Sequence, residues 1–119
     1  MADVVAFVDD LFFQAKILET AKRIGVDVYT CSAPDVLDAE IARALPKLVV
    51  VDLNARSSPL EAIARVRAGG REIPLVAFLS HIQLNLAESA RAAGCRDVMP
   101  RSKFTQNMAT ILARAKSES

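Results

Sequence analysis

The chain has 119 residues, enough for one domain with a hydrophobic core of its own and little beyond it. Apolar residues make up 52% and charged residues 24%, and 15 basic against 14 acidic side chains leave a net charge of +1. That balance offers nucleic acid or an anionic membrane no electrostatic footing, and no basic run or aromatic stripe supplies one locally. No apolar run nears the roughly 18–20 residues needed to span a bilayer, and no charged-then-apolar leader pattern opens the chain, so a cytosolic protein is expected.

Residues 3–8 form the first apolar run, and Asp9 and Asp10 end it. A helical pattern follows. Phe13, Ile17, Ala21 and Ile24 recur at spacings of four, four and three, and Gly25 is placed to end the helix. Val26-Asp27-Val28-Tyr29-Thr30-Cys31 alternates apolar and polar, the pattern of a strand with one buried face and so of a sheet edge. Ser32-Ala33-Pro34-Asp35 opens a second helix, carried by Val36, Leu37, Ile41 and Leu45 until Pro46 stops it.

Leu48-Val49-Val50-Val51-Asp52-Leu53-Asn54 is the most telling stretch. A run of β-branched residues suits a strand buried on both faces, and an acid is tolerated only at its end, where a crevice opens. Ser58-Pro59-Leu60-Glu61 fits a capping box with Pro at the first helical position, and that helix ends at Gly69-Gly70. Pro74 to Leu79 is another unbroken apolar strand. Ser80-His81-Ile82-Gln83 again fits a capping box, opening a helix that runs to Gly94. Asp97-Val98-Met99 is a short last strand. Ser102 is expected to cap a final helix whose Phe104, Met108, Ile111, Leu112 and Ala115 share one face.

Five strands alternating with five helices predict an α/β domain with right-handed crossovers and helices on both faces of a parallel sheet. The three continuously apolar strands belong in the middle and the other two at the edges. The order 2-1-3-4-5 satisfies this: a doubly wound, flavodoxin-like plan filling residues 1–119 as one domain, with its core over about 3–115. Cys31 and Cys95 then fall at opposite edges of the sheet and at opposite strand ends, too far apart for a disulfide.

In such a sheet ligands bind beyond the strands' carboxyl ends, where the strand order reverses. Here that point lies between strands 1 and 3, so Asp9, Asp10 and Asp52 are expected to converge. Each acid alone is explained by a helix start, where negative charge is favoured. Three together repel one another, and this favours either raised pKa values or a divalent cation with oxygen ligands, Mg²⁺ rather than zinc.

With Phe7-Val8-Asp9-Asp10 after strand 1, Val50-Val51-Asp52-Leu53 ending strand 3 and the five-unit plan, the chain resembles the receiver domain of two-component response regulators. The resemblance implies that Asp52 is the phosphoryl acceptor, supplied by a histidine kinase or phosphotransfer protein. It implies Mg²⁺ held by Asp10 and Asp52, with Asp9 acting mostly through water and Asn54 offering its backbone carbonyl. It implies no enzyme beyond slow loss of the phosphoryl group, and output by contact with a downstream protein. No output domain is expected after residue 117, and nucleic acid would not be contacted directly.

The chain departs from the family pattern at three places. The hydroxyl expected at the end of strand 4 is offered by Ser80, one residue late, with Leu79 at the expected offset. The Lys–Pro pair after strand 5 reads Arg101-Ser102, and arginine meets phosphate as a planar fork rather than a point charge. Lys103 is a nearby accessory cation. Val98 stands where the family has an aromatic residue that swings inward.

His81, the one histidine, could sense phosphate or pH beside the site, or be a solvated first-turn residue. Phe12 and Phe13 fit helix-core and lip positions. Leu84, Leu86, Ala87 and Ala90 could leave a surface for a partner or a second copy. Two rival readings remain. One is a pseudo-receiver that binds partners without phosphorylation, favoured by Arg101-Ser102 and Val98. The other is a small-ligand binder or enzyme on the same plan, opposed by the lack of a glycine-rich loop after strand 1.

Overall fold

The computed structural model describes residues 2–69, 72–80 and 83–116. His81, the expected accessory sensor, and Gly70 lie outside them. Five parallel strands form one sheet: β1 (Val4–Phe7), β2 (Val28–Cys31), β3 (Leu48–Asp52), β4 (Leu75–Leu79) and β5 (Asp97–Pro100). Their order is β2-β1-β3-β4-β5, as the strand character predicts. Every residue of β1, β3 and β4 is buried, whereas Tyr29 on β2 is exposed and β5 is half-buried throughout.

The helices are α1 (Leu11–Ile24), α2 (Pro34–Ala44), α3 (Pro59–Ala68), α4 (Leu84–Ala93), α5 (Arg101–Gln106) and α6 (Met108–Ala113). The pleat sends alternate side chains to opposite faces, and two cores result. Val5, Phe7, Val49, Val51, Leu75 and Ala77 pack with Leu37 and Ile41 of α2, Ile63 and Val66 of α3 and Ala90 of α4. Val4, Ala6, Val50, Val76 and Phe78 pack with Phe13 and Ile17 of α1, Phe104 of α5 and Ile111 and Leu112 of α6.

Helix ends follow local chemistry with four corrections, three at expected serine caps and one inside the last helix. Gly25 and Gly94 close α1 and α4 in the left-handed conformation, as expected. Ser58 precedes Pro59 but makes no capping bond. Its φ of 58° is left-handed, not the extended backbone from which a cap side chain reaches the first turn. Ser80 stands outside α4, which begins only after Gln83; its hydroxyl donates elsewhere, to Asn54. Ser102 is not a cap either. Pro100 keeps the last extended backbone, so α5 starts directly at Arg101. The single last helix expected is broken at Asn107, whose φ of −108° and ψ of 13° leave the helical region and whose side chain donates to the Lys103 carbonyl at 2.9 Å.

Candidate functional site

Asp52 is the last residue of β3, paired in register with Phe78. As the even-numbered partner of Leu48 and Val50 it faces the α1/α5 side of the sheet. There it meets a cavity of about 510 Å³ lined by Asp9, Asp10, Asp52, Asn54, Arg56 and Arg101. The carboxyl ends of β1 and β3 therefore do bring the acids to the place where the strand order reverses.

The expected cluster of three free carboxylates is not what forms. Asp10 is the N-cap of α1: its Oδ1 accepts from Phe12 N at 2.9 Å and Phe13 N at 3.1 Å. Its other oxygen faces the Arg101 guanidinium, with Nη1 at 3.4 Å. Nη2 of the same guanidinium lies 3.1 Å from Asp52 Oδ2. Asp9 lines the cavity, but its Oδ2 accepts the Arg56 backbone N–H at 2.8 Å. The site is thus two carboxylates bridged by an arginine, with the third acid at the rim. Among the described residues no group of three or more Asp, Glu, His or Cys side chains gathers to hold a metal ion. The charge of two crowded carboxylates is met by a cation from the chain itself.

The bridge is supported from below. The guanidinium carbon of Arg101 lies 4.6 Å from the Phe13 ring centre and 5.4 Å from that of Phe78, so two rings present their faces to the cation. Phe13, read as a core residue, serves as this floor as well; Phe12 beside it is 91% exposed. Arg101 Nε is buried and without a hydrogen-bond partner.

Asp52 is almost wholly enclosed, its side chain 2% exposed. Burial pushes its carboxyl above the usual range; the Asn54 N–H and Arg101 pull it back, and Asp9 and Asp10 push it up again. Asp10 is held below the usual range, chiefly by the Phe13 N–H. Asp52 Oδ1 accepts from Asn54 N at 2.9 Å. The Asn54 side chain then spans to the β4–α4 loop. Its Nδ2 donates to Gln83 Oε1 at 2.9 Å, and its Oδ1 accepts from Ser80 N at 2.5 Å and Ser80 Oγ at 3.0 Å. Ser80 therefore reaches the site's edge through Asn54, and Leu79 is buried in the opposite core. Lys103 lies on the exposed side of α5, away from the residues that line the cavity. Gln83 is expected only as the closing residue of a capping box and instead accepts from the Asn54 side chain. Nothing in an isolated loop Arg marks Arg56, although its position four residues after Asp52 places it near the site.

Similarity at the level of structure is extensive. NtrX from Brucella abortus superposes with a TM-score of 0.81 at 22% identity over 97% of this chain, which spans 27% of that protein. The fold is that of a response-regulator receiver domain. The isolated NtrX receiver domain matches over 95% of this chain and 97% of its own, at 21% identity and a TM-score of 0.81. The chemotaxis protein CheY4 from Vibrio cholerae matches over 98% of this chain and 99% of its own, at 18% identity and a TM-score of 0.84. No protein-family model matches the sequence, and no curated protein does. The receiver fold thus stands on structural likeness, and the chemistry of the crevice rests on its own residues. No helix among the described residues is long and apolar enough to cross a membrane.

The donor set suits Mg²⁺ in kind: hard carboxylate oxygens from Asp10 and Asp52 face one guanidinium, that of Arg101, with neither thiol nor imidazole among the described lining residues.

Proposed function

We propose that this receiver fold is a signalling module in which Asp52 accepts a phosphoryl group from a phosphohistidine on a kinase or phosphotransfer protein. An oxygen of Asp52 forms the new bond to phosphorus as the donor's nitrogen–phosphorus bond breaks, and the imidazole leaves with the electron pair. The reading rests on one observation: the carboxylate that ends β3 faces a crevice at the sheet's switch point, with a cation within 3.1 Å of the oxygen that would attack.

Arg101 would follow the charge. Its fork can leave the carboxylates and take two oxygens of the phosphoryl group, remaining stacked on Phe13 and Phe78. When bound, Mg²⁺ would be held by Asp10, Asp52 and the Asn54 carbonyl, and would neutralise charge on the transferring group. The message would leave by protein contact through the loops that Asn54 ties together, since Val98 supplies no aromatic relay.

A second reading is favoured by the same carboxylate. Asp52 already has Oδ1 on the Asn54 N–H and Oδ2 on Arg101, and is enclosed. A site so satisfied suits a pseudo-receiver that binds partners without phosphorylation. Intact mass after incubation with acetyl phosphate and Mg²⁺ separates the two. A phosphoryl adduct on the wild type and none on Asp52→Asn supports the first; no adduct on either favours the second.

A further inference from the structure

The crevice carries its own cation. We propose that Arg101 is an intramolecular competitor for the divalent-ion position, so that a metal binds this site only by displacing the guanidinium from Asp10 and Asp52. This rests on the reading of the crevice as a cation and phosphoryl site.

Four observations point there together. The guanidinium touches one oxygen from each of the two carboxylates that face it, Asp10 and Asp52. A divalent ion shared by these acids needs those same oxygens. The third acid, Asp9, lines the same cavity but has one oxygen on the Arg56 N–H and makes no ion pair with the guanidinium. The arginine also opens α5, where a helix dipole gives a cation nothing, so the carboxylates and the two phenylalanine rings must hold it. Finally, Nε is buried with no partner. The pose is bought against an unmet donor, and a strong enough rival for the carboxylates can therefore undo it.

The rival's advantage is double charge; the arginine's is that it never has to be collected from solution. Two ligands that exclude each other at one place are negatively coupled, and removing one raises the affinity of the other. Resident arginine should thus leave the wild type a weak cation binder. A lysine at the same place would compete less. It is a compact charge that cannot bridge both acids as a fork, nor bring a planar cation against the Phe13 and Phe78 rings.

The test is calorimetric titration of the whole chain with Mg²⁺, and with Mn²⁺ as a second probe, for the wild type, Arg101→Met, Arg101→Ala and Arg101→Lys. Methionine keeps an apolar stem over the rings should the alanine variant not fold. Expected is a gain of about tenfold or more in divalent affinity for Arg101→Met and Arg101→Ala, and a smaller gain for Arg101→Lys, within the range that coupling between two exclusive ligands gives. Thermal unfolding should agree, with Mg²⁺ raising the midpoint of the methionine variant more than that of the wild type. An alanine variant that folds only with Mg²⁺ would also support the proposal. Affinity that is unchanged or weaker in both neutral variants overturns it, as does the absence of divalent binding in every variant. Tight binding by Arg101→Met with no phosphoryl adduct on any variant would leave this competition standing and remove the phosphoacceptor reading alone.

Discussion

Asn54 holds Ser80 by a single oxygen: its Oδ1 accepts both the Ser80 N–H and the Ser80 hydroxyl, at 2.5 and 3.0 Å. The backbone N–H of Asn54 meanwhile rests on Asp52 at 2.9 Å, and its Nδ2 on Gln83, the residue before α4. One residue thus joins the buried carboxylate to the start of a helix 29 residues away. Asn54→Ala keeps the bond to Asp52 and deletes the rest. Expected is a loss of about 1 kcal/mol, because the bonds are exposed and each is worth little net. Amide exchange should quicken at Ser80 and at Ala87, whose N–H bonds to the Gln83 carbonyl. Unchanged exchange at both would show that the bracket carries nothing.

The two facing acids oppose each other in their pH dependence. Burial raises Asp52 above 3.8, so the folded chain holds that proton more tightly than the unfolded one. Stability from this group is therefore lost as pH rises from 3.8 through its folded value. Asp10 is lowered from 3.8, chiefly by the Phe13 N–H; its contribution is present above 3.8 and is lost as pH falls through its own folded value. Denaturation followed from pH 3 to 8 should lose the upper limb in Asp52→Asn and keep the lower one.

Removing Arg101 should raise the Asp52 pKa further, since Arg101 is one of the groups that pull it down. The carboxyl carbon of Asp52, followed by NMR in Arg101→Met, reads this directly. The cost in stability is about 1–3 kcal/mol, between that of an exposed pair and a fully buried one, because the guanidinium is 29% exposed. It is present in full where Asp52 is ionised and shrinks as pH falls through the Asp52 pKa. A cost that stays constant across that range would mean the guanidinium is held by Asp10 and the phenylalanines and not by Asp52.

Both thiols are buried, and burial pushes Cys31 up to about 12 and Cys95 to about 11. Neither should react with a maleimide at pH 8 in the folded chain, and both should react in denaturant. They stand at opposite edges and opposite strand ends, as β2 and the approach to β5 require. Oxidation should therefore form no bridge within the chain.

Leu45 ends α2 with φ of 47°, and the residue is 70% exposed. A non-glycine residue there carries a steric cost that no packing repays, so Leu45→Gly should stabilise by about 1 kcal/mol in thermal unfolding. Gly94→Ala should do the reverse. Its φ is 120°, and a Cβ would come within 2.5 Å of Arg67 Nε.

Strands and their order could be read directly because the signals are local. The unbroken valines of residues 49–51 demand burial on both sides, and the alternation around Tyr29 demands an edge. Helix stops at Gly25 and Gly94 were equally plain, since only glycine takes those angles without strain. The serine caps were not. Ser58, Ser80 and Ser102 have the right residue type at the right spacing, but the backbone angle at Ser58, the pull of Asn54 on Ser80 and the start of α5 at Arg101 decide otherwise.

Sequence alone determined that Asp9, Asp10 and Asp52 end neighbouring strands, because hydrophobic runs set where strands stop and strand order sets which ends meet. What occupies the space between Asp10 and Asp52 was decided only in three dimensions. Arg101 lies 91 residues from Asp10 and 49 from Asp52. Where its long side chain comes to rest depends on the floor that Phe13 and Phe78 build and on the charge the two acids leave unbalanced. Periodicity is a property of neighbours along the chain; the position of a cation is a property of the field that the folded chain makes around it.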